Sequence, residues 1–253
     1  MTTLPIGLPN KGNTCFLNSV LQALNTCTQF KTHPSIIRPF FHSFSKGHAM
    51  PTVPRMLVAK KFPEFNNFAQ HDAHSWMLRL LELTEKGAAK YFDGELEVRV
   101  TFPDCGHCNV HKEPYRTMSL SVEATIADAI DKFVASEPVT STCDTCNDNR
   151  TKPAVKSMRL HRWPTYLVIH LKRFNRMGRK VINKIDVPMT VDKYQLCATI
   201  QHLGNASNSG HYTCCGKHGE NWYLFNDARV MQLQPHHVQK AAQSAYMLVY
   251  RND

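Results

Sequence analysis

Two Cys-x-x-Cys pairs, Cys105-Gly-His-Cys108 and Cys143-Asp-Thr-Cys146, constrain the fold of this chain more than any other feature. Each has the bite of a zinc knuckle, and together they supply the four thiolates of a closed tetrahedral Zn2+ shell. A closed shell leaves no position for a substrate, so the expected ion is structural. It would tie a strand to the segment after a helix, in a region too thin to hold itself by apolar burial. His107 and His111 lie close enough to compete as ligands, but a fourth cysteine makes them unnecessary. A disulfide framework fits poorly with an odd count of nine cysteines and with a first segment, Met-Thr-Thr-Leu-Pro, that lacks the features of a secretory signal. A reducing cytoplasmic or nuclear setting is the expectation. Two pairs outside a βαβ pattern also argue against a thioredoxin-like redox motif.

Apolar periodicity marks the elements around the knuckles. Phe16, Leu17, Val20, Leu21 and Leu24 recur at helical spacing behind a stretch that Pro9, Gly12 and the asparagines keep irregular. A helix starting after Asn13 or Thr14, its natural N-caps, puts Cys15 in the first turn, where unpaired N–H groups and the helix dipole lower a thiol pKa. The competing role for Cys15 is a small buried core thiol. Residues 70–81 repeat the helical pattern through Ala73, Trp76, Met77, Leu80 and Leu81, with Gly87 as a stop. Between them Pro34, Pro39, Pro51 and Pro54 suit short helices and loops. From Leu96 the period is two, through Val98, Val100 and Phe102, and Thr125 with Asp128 opens a capping-box helix. Further strands are expected at 166–171, 194–201, 211–215, 222–225 and 245–250. With no repeat, low-complexity tract or linker, one α+β domain is the economical reading.

The longest apolar run, Tyr166 to Leu171, is far too short to span a bilayer. A formal charge of +10 would suit an acidic partner, but the Lys and Arg are scattered, densest from Lys172 to Lys184, and read as solvated surface rather than a nucleic-acid face. Neither a membrane nor a nucleic acid is an expected partner.

A nucleophilic thiol needs a base that takes its proton and returns one to the leaving group, and histidine does both. Fourteen histidines leave the choice open by spacing alone. The context favours His211, which begins a strand after the flexible Gly204-Asn-Ala-Ser-Asn-Ser-Gly210 loop. Near the next strand's end stand Asn226 and Asp227, which one extended backbone would point to opposite faces.

Read whole, the segment Gly7-Leu-Pro-Asn-Lys-Gly-Asn-Thr-Cys-Phe-Leu-Asn-Ser-Val-Leu-Gln22 resembles the cysteine box of the ubiquitin-specific proteases, papain-like thiol peptidases. Gln70-His-Asp-Ala73 resembles their second box, Gly210-His211-Tyr212 their histidine box, Trp222 to Val230 their third box, and Ala245 to Arg251 their closing strand. The resemblance runs from Gly7 to Arg251. It implies Cys15 as nucleophile, His211 as base, Asn226 as its orienter, Asn10 as oxyanion donor and Asp227 as an auxiliary acid. Asp72 would grip the arginine-bearing tail of ubiquitin, with Gly210 and Tyr212 also against the substrate. The implied fold is a single thumb–palm–fingers domain over 1–253, with a thumb over about 1–95, mostly fingers and part of the palm over 96–190, and palm over 191–253. The zinc ribbon of Cys105, Cys108, Cys143 and Cys146 would steady the fingers, which cradle ubiquitin.

The implied activity is hydrolysis of the bond between the C-terminal glycine of ubiquitin and a lysine amine, by a monomer. Two departures stand out: Ser75, where the family usually has Glu, and Cys214-Cys215, where Ala-Tyr is more usual. A catalytically silent ubiquitin-binding module is the rival within this resemblance, and a basic zinc-ribbon nucleic-acid binder the rival outside it.

Overall fold

The computed structural model describes residues 5–48, 50–84, 87–146, 150–207 and 209–252. The first four residues and Asn208, within the loop before His211, lie outside the described residues.

The chain begins with five helices, α1 (Cys15–Asn25), α2 (Thr28–Thr32), α3 (Arg38–Ser45), α4 (Thr52–Lys61) and α5 (Ala73–Leu83). In α1 the apolar stripe is buried as its spacing predicts, but so are Asn18, Ser19 and Gln22. The helix is enclosed on all sides because it packs between α5 and the strands described below. Its polar side chains therefore bond internally: Ser19 Oγ donates to the Phe16 carbonyl, and Gln22 Nε2 to the Ile6 carbonyl at 2.9 Å. The proline-bearing stretch supplies Phe30, Phe40, Phe41 and Phe44 to the same core, with Phe30 edge-on to Phe41 and Phe92. Helix α5 ends at Leu83, a turn before Gly87, and is capped by Asp72, whose Oδ1 accepts from the Ser75 amide at 2.7 Å.

Strand β1 (Gly94–Thr101) pairs antiparallel with β2 (Cys108–Tyr115). After β3 (Met118–Leu120), helix α6 (Ile126–Val134) carries the expected Thr125–Asp128 capping box. Strands β4 (Glu137–Thr142) and β5 (Thr151–Arg162) complete a four-stranded sheet in the order β2-β1-β5-β4. Sequence patterning missed β2, β4 and β5 because both their faces are largely solvated. In β5 Ala154 alone is buried, so no alternation marks it. The apolar core of this sheet is Phe102, Cys143 and Ala154 with a few half-buried neighbours.

The remaining strands are β6 (Tyr166–Leu171), β7 (Thr190–Val191), β8 (Tyr194–Ala206), β9 (Ser209–His218), β10 (Asn221–Asn226), β11 (Arg229–Leu233) and, after helix α7 (Pro235–Ala242), β12 (Ala245–Asn252). They form the large sheet in the order β11-β10-β9-β8-β12-β6-β3, with β7 paired to β8. One face, through Ala198, Ile200, Cys214 and Phe225, packs on the helices, and the other, through Leu196, Cys215, Trp222 and Leu248, on a separate core with Val238 of α7. Burial on both faces makes these strands the ones the sequence marks most clearly. The site lies where α1 meets the starts of β9 and the end of β10.

Candidate active site

Cys15 opens α1 and is 4% exposed, with the chain from Gly7 to Thr14 folded across the helix start. Thr14 is the N-cap residue, but its hydroxyl does not cap; it accepts from the Lys11 amide at 2.9 Å. Gly12 and Asn13 take positive φ, turning the chain into the helix. Gly7 has a different reason: a β-carbon there would stand 2.4 Å from the Ala228 carbonyl oxygen, so only glycine lets this segment lie against residues 227–228. The Leu8 amide donates to the Asp227 carbonyl at 2.9 Å, fixing that approach.

His211 and Asn226, the expected base and orienter, are brought together. His211 Nε2 lies 2.7 Å from Asn226 Oδ1. An amide oxygen accepts, so the neutral ring carries its proton on Nε2 and keeps the Nδ1 lone pair free. His211 and Asn226 sit on the adjacent strands β9 and β10, and β9 packs along α1. No hydrogen bond joins the Cys15 thiol to His211 among the described residues, a looseness common in cysteine–histidine sites without substrate.

Asp227 leaves the strand at φ 51°, so its side chain turns away from His211. Its Oδ2 accepts from Asn10 Nδ2 at 2.9 Å and its Oδ1 from Asn18 Nδ2 at 2.8 Å. Asn10 Oδ1 in turn accepts from the Thr14 amide at 3.1 Å. The Asn10 amide is thus held at both ends beside the first turn of α1, with a second Nδ2 proton left over. Asn18, which is 2% exposed, was missed by sequence reasoning; a polar asparagine beside Leu17 inside a helix with an apolar stripe is the signal that could have found it.

The expected low thiol pKa is corrected by the structure. Burial raises the Cys15 pKa; the backbone amides of Tyr212 and Phe16 pull it down and the Asp227 carboxylate pushes it up again, for a net rise. The Cys15 thiol is thus shifted upward rather than downward, because removing it from water costs more than the helix start returns.

Asp72 and Tyr212 are brought together from the N-cap of α5 and from β9. Asp72 Oδ2 accepts from the Tyr212 hydroxyl at 3.3 Å and from the Tyr246 hydroxyl. Burial raises the Asp72 pKa, but the Tyr246 hydroxyl and the Ser75 amide outweigh it and hold the carboxylate below its ordinary value. The Gly210 amide donates to Gln70 Oε1 at 2.9 Å. Gly210 is obligatory by space, since a β-carbon would stand 2.4 Å from His202 Nε2. Gln70 and Tyr246 were not singled out in the sequence; both stand in the matching boxes, yet only the folded chain shows them touching Gly210 and Asp72.

Of the four knuckle cysteines, three come together. The sulfurs of Cys105, Cys143 and Cys146 lie within 4.8 Å of one another, a spacing and donor set that fit a thiophilic metal ion. Cys108 is not with them, contrary to the four-thiol expectation. It pairs with Thr101 across β1 and β2, and its sulfur accepts from Thr101 Oγ1 at 3.5 Å, so its side chain follows that strand pair. His107 and His111 are also outside the group.

The family pattern described as ubiquitin carboxyl-terminal hydrolase matches residues 6–250. The chain belongs to the ubiquitin carboxyl-terminal hydrolase family. Similar relatives include ubiquitin carboxyl-terminal hydrolase 23 of Arabidopsis thaliana, 28% identical over 98% of this chain and 35% of its own length. Probable ubiquitin carboxyl-terminal hydrolase 8 of Schizosaccharomyces pombe is 26% identical over 96% of this chain and 64% of its length. Ubiquitin carboxyl-terminal hydrolase 2 of Homo sapiens is 25% identical over 96% and 54%. The chain thus spans between about a third and two thirds of the length of these relatives. Among solved structures, a chain of the SAGA DUB module Ubp8/Sgf11/Sus1/Sgf73 bound to ubiquitin aldehyde superposes with a TM-score of 0.79 at 22% identity, covering 98% of this chain and 69% of that one. The likeness shows that the two chains share a fold.

Proposed function

We propose that this hydrolase is a thiol isopeptidase that cleaves the bond between the C-terminal glycine of ubiquitin and a lysine amine. The observation that carries the reading is the His211–Asn226 bond beside a helix-start cysteine, with Asn10 tethered between Asp227 and Thr14. His211 Nδ1 takes the Cys15 proton, and the sulfur attacks the glycine carbonyl carbon. Asn10 Nδ2 and the backbone N–H groups at the start of α1 donate hydrogen bonds to the charge that develops on the carbonyl oxygen. The C–N bond then breaks, His211 gives its proton to the departing lysine amine, and a thioester remains. Water, deprotonated by His211, releases the ubiquitin carboxylate and restores the thiol. Asp227 keeps Asn10 in place, and Asp72, held ionised by its hydroxyl partners, is the anion for the cationic tail.

One catalytic unit accounts for the whole chain, with the helices through about residue 95 as thumb, the four-stranded sheet as fingers and the large sheet as palm. Cys105, Cys143 and Cys146 would hold a structural Zn2+, with Cys108 completing the shell by turning from Thr101. The ion supplies cross-linking of the finger tip and takes no part in the reaction. The partners are ubiquitin and ubiquitin-bearing proteins, whose globular body the fingers cradle.

The test is turnover of a fluorogenic amide at the ubiquitin C-terminus. Wild type is expected to release the fluorophore and Cys15→Ala to fall to background. Tight ubiquitin binding without turnover in wild type would instead make the chain a silent binding module.

A further inference from the structure

The far ends of the two elements that carry nucleophile and base meet at a second, polar cavity. Helix α1 starts at Cys15 and ends at Asn25, about 15 Å away by helix rise. Strand β9 carries His211 near its start and Lys217 and His218 at its end. Between Asn25 and Lys217 lies a cavity of about 330 Å3, lined also by Lys31, His218 and Arg251. An adjoining cleft of about 710 Å3 shares Lys31 and His218 and adds Lys46. The cavity is the size of a small-molecule site and none of these walls touches the catalytic residues.

Its charge is one-sided. Lys31, Lys217 and Arg251 line it against a single acid, Glu220, whose side chain is 94% exposed and stands 3.9 Å from Lys217 at the rim. Lys31 is partly committed, since its ammonium donates to the Asn25 carbonyl at 2.8 Å and more weakly to Asn25 Oδ1 at 3.4 Å. An ammonium has three N–H groups, so one remains for the cavity. Burial lowers the Lys31 pKa, which means that its charge is poorly solvated as the protein stands. The half-buried His218 ring lines the same wall.

We propose that this cavity binds a small polyphosphate anion, of the class of pyrophosphate or the triphosphate of a nucleotide, on Lys31, Lys217 and His218. A phosphate oxygen offers acceptors to all three and supplies the negative charge that the buried ammonium lacks. The ligand would clamp the C-terminal end of α1 to the end of β9, the two elements whose other ends hold Cys15 and His211. The site is independent of the reaction assigned to those residues.

Calorimetric titration of the purified protein, at fixed ionic strength and without divalent metal, tests it with pyrophosphate and ATP as separate probes. Saturable binding of at least one is expected, weakened tenfold or more by Lys217→Gln and by Lys31→Met, as loss of a charge-assisted hydrogen bond requires, and unchanged by Lys132→Gln on α6. Lys217 is at a strand end, so its variant keeps the test decisive if Lys31→Met does not fold. Saturation by neither probe, or equal affinity in Lys217→Gln and wild type, overturns the proposal.

Discussion

At Cys15, burial and reactivity pull in opposite directions. The thiol pKa is raised, so in the proposed mechanism the rate depends on His211 being ready to receive a proton, and that readiness on Asn226. Asn226→Ala removes the acceptor that fixes the Nε2–H tautomer. Turnover should fall by about ten- to a hundredfold, up to the lower edge of what acid–base assistance supplies, since the ring itself remains. Asn226→Asp, which keeps the acceptor, should recover most of it; equal loss in both variants would mean that Asn226 serves packing rather than ring orientation. Asn10→Ala removes a donor beside the helix start and should cost on the order of a hundredfold in kcat with little change in KM. Stopped-flow turnover separates the two parameters. These residues were legible because each stands in a contiguous motif. What the motifs could not show is the sense of the thiol pKa, because burial depends on α5 and β9 closing over a helix start that looks exposed in the sequence.

The same contrast holds for whole elements. Helix α5 was legible from Ala73, Trp76, Met77, Leu80 and Leu81, all buried. The double duty of Asp72, capping that helix and receiving Tyr212 and Tyr246, depends on strands more than a hundred residues away. Asp72→Ala should therefore cost about 2–3 kcal/mol, from a lost cap and two hydroxyls left without their acceptor. Urea unfolding measures it, and a loss below half a kcal/mol would show that the tyrosines find other partners. The four-stranded sheet was half legible: β1 alternates, whereas β2, β4 and β5 present charge or hydroxyls on both faces. Its core of Phe102, Cys143 and Ala154 is too small to hold twelve-residue β5 in place unaided. With the proposed metal on Cys105, Cys143 and Cys146, chelation should raise amide exchange across β1, β2, β4 and β5 while β8 and β12 stay protected. Uniform protection before and after chelation would remove the metal from the account.

Across the molecule, three histidines are buried in or beside the large sheet as neutral rings. Burial takes His170 to about 3, His202 to about 4 and His218 to about 4. Nearby cations help: Lys180 for His202 and Lys31 for His218. The unfolded chain takes up a proton at each near pH 6.5, whereas the folded chain does not until pH 3 to 4. Stability is therefore full above pH 6.5 and declines as pH falls from there toward 4, by about 1–2 kcal/mol per histidine at pH 5. Urea midpoints at pH 7 and pH 5 check this, and equal midpoints would contradict it. The central claim is nonetheless chemical, and intact-mass analysis after incubation with ubiquitin bearing a C-terminal thiol-reactive group tests it most directly. A one-to-one adduct mapped to Cys15, absent in Cys15→Ala and sharply slowed in His211→Ala, is the predicted result. No adduct on wild type, or an adduct on another cysteine that survives Cys15→Ala, would contradict the account.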